Sequence, residues 1–215
     1  MDVLIVTGGS IDASFAKQYI EKRKWDLIIS ADSGREFCCQ AGILADMLLG
    51  DFDSAKPETL AYFTERCPER ILTFPSQKDE TDTELAIIKA IEAGAAKITI
   101  LGGTGSRLDH VLGNIQLLKI ALDAGVECLI VDAHNRLRMI DKGLKLKKAE
   151  QFGHYVSLIP FTPQVTGVTL TGFFYPVTDF TLTSGKARGV SNEITEEEAV
   201  IELKEGILLV IESDD

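Results

Sequence analysis

Short apolar runs alternate with longer amphipathic stretches through the first 131 residues, and that alternation predicts strands and helices taken in turn. Residues 3–6, 26–30, 47–49, 70–74, 97–101 and 127–131 read as strands. Helical spacing fills residues 13–22, 33–41, 57–66, 82–93 and 109–124. The strand runs read as continuous apolar cores with polar residues mainly at their ends, as strands buried on both faces do. A strand–helix rhythm of this kind implies a parallel sheet covered on both sides. The expected fold is therefore α/β, opening with a parallel-sheet α/β/α (Rossmann-like) domain.

Helical periodicity stops after residue 132. Short alternating segments follow at residues 136–140, 155–160, 167–171, 180–183 and 200–211. Glu205-Gly206 splits the last of them and predicts a hairpin turn. This half reads as a C-terminal antiparallel β-sandwich domain. The change of pattern places the boundary between residues 132 and 152, with residues 1–135 expected as one domain and 136–215 as the other. The lysine-rich GLKLKKA at residues 143–149 reads as a solvated strand or linker.

Composition narrows the function. The 215 residues carry a formal net charge of -11. So acidic a chain is poorly suited to nonspecific nucleic-acid binding or to an anionic membrane surface. A small anionic substrate is still compatible, because a bound divalent cation inverts the local field. Four cysteines, Cys38, Cys39, Cys67 and Cys128, make no C-x-x-C pair. They read as free thiols of a reducing compartment. The N-terminus reads as a strand, not a signal segment, and no run of apolar residues is long enough to span a bilayer. The expected location is cytoplasmic.

Ligands of open parallel sheets bind beyond the carboxyl ends of the strands. Here those ends carry Asp32, Asp51 and Asp53, Asp79 and Asp82, and Asp109, each after a different strand. Singly, each has a structural reading. Asp32 or Asp109 could cap the helix that follows, Thr81 with Glu84 matches a capping box, and Asp51 and Asp53 could make turns. Together, carboxylates along one sheet edge repel unless cations lie between them. An oxygen-rich set suits Mg2+, which takes one or two carboxylates plus substrate phosphates. The ligand this suggests is a magnesium-bound polyphosphate.

Two glycine loops agree with that reading. TGGS at residues 7–10, with Gly8 and Gly9, and LGGTGSR at residues 101–107, with Gly102 and Gly103, each follow a strand and precede a helix. Backbone N–H groups at helix starts attract anions. Neither loop is a P-loop, and Leu108 stands where a dinucleotide fingerprint would have its third glycine. Arg107 offers a planar fork for phosphate, with a surface ion pair as its alternative. His110, His134 and His154 are scattered and form no metal-ligand spacing, and no protease or esterase signature is present.

ADSG, GDFDS, KDETDTELA and GGTGSRLDH in this order, followed by a β-rich tail containing VSNE, resemble the thiamine pyrophosphokinase family over nearly the whole chain. The resemblance implies transfer of a diphosphoryl group from Mg2+-bound ATP to the hydroxyl of thiamine, giving thiamine diphosphate and AMP. It implies a homodimer with the vitamin between the front domain of one chain and the β domain of another. It implies Asp51, Asp53, Asp79 and Asp82 as metal and phosphate-site residues, and Asp32 near the reacting hydroxyl. Gly8, Gly9, Gly102, Gly103, Arg107, Asp109 and His110 are the implied nucleotide contacts. Asp32, Asp51, Asp79 and Arg107 form the implied catalytic set. The motifs leave open which aspartate is base and which is ligand. Ser191 and Asn192 are the implied thiamine contacts. Another nucleotide-dependent transferase on a similar sheet, or a thiamine or nucleotide sensor without turnover, are the other readings. Reaction products separate the three.

Overall fold

The computed structural model describes residues 1–50, 56–73 and 79–215, which fall into two compact units, Met1–Ala133 and His134–Asp215. Asp51 and Asp53 lie outside the described residues, as does the end of the run at 70–74.

Among the described residues, the first unit is a parallel sheet with five α-helices. Its strands are β1 (Asp2–Val6), β2 (Leu27–Ala31), β3 (Met47–Gly50), β4 (Ile71–Thr73), β5 (Lys97–Leu101) and β6 (Glu127–Val131). They lie side by side in the order β6-β5-β1-β2-β3-β4, and every pairing is parallel. The apolar runs are buried as expected: Val3, Leu4, Ile5 and Val6 of β1 have no exposed surface. Residues buried on both faces need helices above and below the sheet. These are α1 (Ala13–Glu21), α2 (Gly34–Ala41), α3 (Pro57–Arg66), α4 (Asp82–Glu92) and α5 (Leu108–Asp123).

This order has a functional consequence. From β1 the chain steps outward to β2, β3 and β4, then returns to place β5 on the other side of β1. The direction of winding therefore reverses between β1 and β5. At such a switch point the loops after neighbouring strands leave towards opposite faces and open a crevice.

The second unit is a two-sheet sandwich. One sheet has the order β12-β9-β14-β7 and the other β11-β10-β13-β8. The strands are β7 (Asn135–Ile140), β8 (Leu144–Lys147), β9 (Tyr155–Pro160), β10 (Gln164–Thr171), β11 (Val177–Thr183), β12 (Asn192–Glu193), β13 (Glu198–Glu202) and β14 (Leu208–Ser213). All their pairings are antiparallel. Val156, Leu158, Leu208 and Val210 of one sheet and Val165, Val168, Leu182 and Ile201 of the other share one buried apolar cluster.

The hairpin expected across Glu205-Gly206 is a correction. β13 pairs with β10 and β8, whereas β14 pairs with β7 and β9, so the chain changes sheets there. The alternation of a two-faced strand is the same whichever sheet it joins, so it does not reveal the partner. Thr166 N donates to Glu205 O at 2.9 Å and Lys204 N to Thr166 O at 2.9 Å, which anchors the crossing to β10. Gly206 supplies the positive φ of 101° that the crossing needs. The lysine-rich segment is strand β8, with Leu146 buried and Lys145 and Lys147 exposed.

One buried charge cluster stands at the end of β14. Glu212 is fully buried and accepts from Arg136 at 2.9 and 2.5 Å, from Arg138 at 2.9 Å and from Phe152 N at 3.1 Å. A carboxylate taken from water is stable only when so surrounded. Glu212→Gln removes the charge and leaves two arginines facing each other. It should cost about 3–5 kcal/mol in chemical denaturation. An unchanged midpoint would show that the cluster adds nothing to stability.

Candidate active site

The crevice between β1 and β5 is a cleft of about 630 Å³. Two glycine loops form its floor. Gly9 N donates to Gly102 O at 2.8 Å and Ser10 N to Thr104 O at 2.7 Å. Thr7 N donates to Leu101 O at 2.9 Å, carrying the β1–β5 ladder into the loops. Backbones this close leave no room for side chains. A Cβ on Gly9 would overlap the carbonyl oxygens of Gly102 and Thr104, and one on Gly102 would overlap that of Thr7. Gly102 also has φ 76°, a left-handed conformation that L side chains adopt at a cost.

Carboxylates enter from β2 and α4. Asp32 follows β2 with φ 51°, and its Oδ2 and the Ser33 hydroxyl lie where a Cβ on Gly8 would stand. The cap of α2 is Ser33, so Asp32 does not serve as a helix cap. The nearly buried Arg35 donates from Nη1 to Asp32 O at 2.8 Å and holds that backbone turn. Asp82 begins α4, whose cap is Thr81; the Thr81 hydroxyl accepts from Glu84 N at 3.2 Å, as the capping pattern predicts. Beneath it the buried hydroxyls of Thr7 and Thr83 meet at 2.6 Å, tying α4 to the end of β1. A Cβ on Gly50, the last residue of β3, would stand 3.2 Å from both Asp82 Oδ2 and Arg35 Nη1. A carboxylate oxygen and a guanidinium thus flank the strand end that leads to Asp51.

Helix α5 forms the remaining wall with His110, Val111, Asn114 and Leu117, and its N-terminus opens into the cleft. Its cap residue, Arg107, makes no side-chain cap bond, and Asp109 sits within the first turn, so Asp109 is not a cap either. Arg107 and Asp109 are both well exposed and pair in a two-pronged contact at 2.6 and 3.3 Å. The surface ion pair considered for Arg107 is therefore present at the cleft mouth. The hydrogen bond from Arg107 holds the Asp109 carboxyl below its usual range, and the same bond raises the guanidinium. The sign follows: a depressed carboxyl stays ionised at neutral pH, and the pairing is lost only as pH falls through that lowered value.

The structure thus gathers Gly8, Gly9, Asp32, Asp82, Gly103, Arg107, Asp109 and His110 around one cleft. Gly102 is buried in the floor, and Asp79 is exposed in the bend before α4 without lining the cleft. Thr7, Thr83 and Asn114 line it too; Thr7 and Thr83 fall within the TGGS and KDETDTELA motifs, but none of the three is among the expected site residues. Among the described residues no three Asp, Glu, His or Cys side chains converge as a metal site.

In the second unit, Ser191 is exposed with φ 58°, and its N donates to the Ser157 hydroxyl at 3.0 Å. Asn192 is buried and holds backbone. Its oxygen accepts from Tyr175 N at 3.0 Å and Glu193 N at 2.9 Å, and its nitrogen donates to Tyr175 O at 3.0 Å. It borders a small apolar cavity of about 150 Å³ lined by Leu158, Val168, Leu170 and Leu182.

Comparison with known proteins decides the family. Residues 16–131 match the family described as thiamin pyrophosphokinase, catalytic domain, and residues 143–208 match thiamin pyrophosphokinase, vitamin B1 binding domain. The chain belongs to the thiamin pyrophosphokinase family. It is 33% identical over 189 residues to the thiamine pyrophosphokinase of Bacillus subtilis (strain 168), a match covering 88% of each chain. The crystal structure of thiamine pyrophosphokinase from Bacillus subtilis superposes with a TM-score of 0.90 at 32% identity over the whole of both chains. That of thiamin pyrophosphokinase from Geobacillus thermodenitrificans gives 0.86 at 32% identity, covering 100% of this chain and 98% of that one. The catalytic-domain match covers Asp32, Asp82, the second glycine loop and α5, whereas the first glycine loop at residues 7–10 precedes it; the vitamin-binding match covers Ser191 and Asn192.

Two glycines of the chain separate loop contact from helix propensity. Gly9→Ala forces the loops apart and should destabilise by roughly 1–3 kcal/mol, as overpacking does. Gly113 lies in α5 with nothing within 4 Å of a built Cβ. Gly113→Ala should therefore stabilise by about 0.5–1 kcal/mol. Thermal melting of both variants checks this, and equal shifts of the same sign would contradict the interlock.

Proposed function

We propose that the chain transfers the diphosphoryl group of Mg2+-bound ATP to the hydroxyl of thiamine. The thiamine oxygen attacks the β-phosphorus, the bond from that phosphorus to the α–β bridging oxygen breaks, and AMP leaves. The hydroxyl proton passes to a carboxylate, for which Asp32 is the candidate. The observation that carries this reading is the cleft at the switch point. Two interlocked glycine loops and a helix N-terminus, which attract a polyphosphate, share it with the carboxylates Asp32 and Asp82, which do not attract one unaided.

That mixture of signs fits Mg2+. Carboxylate oxygens are the hard donors it takes, and Asp82, beside the end of β3, suits one of them. Asp51, Asp53 and Asp79 complete the proposed metal set. Mg2+ supplies neutralisation of charge on the transferring group and on the leaving oxygen. Arg107 and the loop amides contact the triphosphate, with Gly8, Gly9, Gly102, Gly103, Asp109 and His110 as the nucleotide site. Asp32, Asp51, Asp79 and Arg107 form the proposed catalytic set. Binding energy here serves mainly positioning, because phosphoryl-type transfer needs little covalent help.

Ser191 is the proposed direct thiamine contact, and Asn192 shapes the surface around it by holding Tyr175. A homodimer would bring that surface to the cleft of a second chain. Large apolar side chains left exposed support it: Phe174 and Tyr175 in the second unit and Leu108 and Leu112, one turn apart on α5, in the first. Cytoplasmic location is the matching reading, supported by four free thiols, with burial pushing Cys38 up to about 12. No helix of the described residues is long and apolar enough to cross a membrane.

Incubation with ATP, Mg2+ and thiamine should yield AMP and thiamine diphosphate in equal amounts. ADP or free pyrophosphate would instead indicate another transferase, and binding without products a sensor. Asp82→Asn should lower turnover by about a hundredfold or more while melting like the parent. Sedimentation should show a dimer as the active species, and an active monomer would refute the shared site.

A further inference from the structure

Three consecutive carbonyls of the second glycine loop are tied to donors of the protein itself. Gly102 O accepts from Gly9 N at 2.8 Å and Thr104 O from Ser10 N at 2.7 Å. Between them, Gly103 O accepts from the side-chain nitrogen of Asn114 at 2.9 Å. The loop lines a cleft read above as the site of a polyphosphate, and a carbonyl oxygen turned into that cleft would repel it. The outer two carbonyls are held by backbone, which most substitutions leave in place. The middle one depends on a single side chain.

The amide plane makes that side chain consequential. No peptide bond of the described chain is cis. In a trans peptide the C=O and N–H point in opposite directions, so fixing the Gly103 oxygen also fixes Thr104 N–H on the opposite edge. Glycine resists rotation of such a plane less than any other residue. Asn114 is also out of place on local grounds. Asparagine is a weak helix former, yet it stands inside α5 on the cleft-facing stripe of His110, Val111 and Leu117. Its partner is neither solvent nor the helix's own backbone but a carbonyl eleven residues earlier.

We infer that Asn114 is a positioning residue for nucleotide binding: it turns the Gly103 carbonyl away from the anion and the Thr104 N–H towards it. This rests on the reading of the cleft as the ATP site. The test is calorimetric titration of the chain with ATP and Mg2+ in the absence of thiamine, for the parent, Asn114→Leu and Asn114→Ala. Leu keeps the branched shape at a larger volume and favours the helix but cannot donate; Ala removes both bulk and donor and serves if Leu does not fold. ATP dissociation constants should rise about tenfold in the folded variants, the effect of one lost positioned bond. In turnover assays the KM for ATP should rise by a similar factor, with the KM for thiamine unchanged. Equal ATP affinity of parent and variant would overturn the inference and leave the cleft reading intact. Failure of the parent to bind ATP would overturn the reading itself.

Discussion

Everything at the cleft depends on the contact between the backbone after β1 and the backbone after β5. Two hydrogen bonds, from Gly9 and Ser10 to Gly102 and Thr104, hold the loops at a distance only glycine permits. The sheet brings the loops together because winding reverses between these strands. With the loops locked, α5 begins at a fixed place and its free N–H groups face one direction. The α4 carboxylate is set against the same frame through the Thr7–Thr83 hydroxyl pair. Anion attraction and cation attraction thus arise on adjoining walls of one crevice, the requirement for seating a metal-bound polyphosphate.

The parallel sheet was legible because strands buried on both faces are predominantly apolar, and residues 3–6, 27–29 and 128–131 are apolar without a break. Its carboxyl-end aspartates were legible for the same reason, since polar residues stand out at the end of an apolar run. The sandwich was readable as a class but not in its pairings. The segment at 200–211 looked like a hairpin, yet its halves serve different sheets. The two-residue strand β12 is too short to carry any period.

Residues whose work is to hold backbone were the least visible. Asn114, Thr7 and Thr83 act through contacts between positions far apart in sequence, so no local spacing marks them. Asn192 was singled out through the family resemblance as a vitamin contact. In the folded chain its amide is engaged with Tyr175 and Glu193. Burial of an amide requires that its donors and acceptors find partners, and here backbone supplies them. In the same unit, Glu212 shows the rule for charge: a buried carboxylate has two guanidinium partners and a backbone N–H around it.

The left-handed backbone at Asp32 limits which side chains that position accepts. A φ of 51° is reached readily by glycine and, among other residues, most easily by asparagine and aspartate. An alanine there would combine a lost carboxylate with added backbone strain, and its phenotype would mix the two. Asparagine keeps the conformation and the shape while removing only the charge, so the electrostatic share of this residue's work can be isolated without disturbing the turn that carries it.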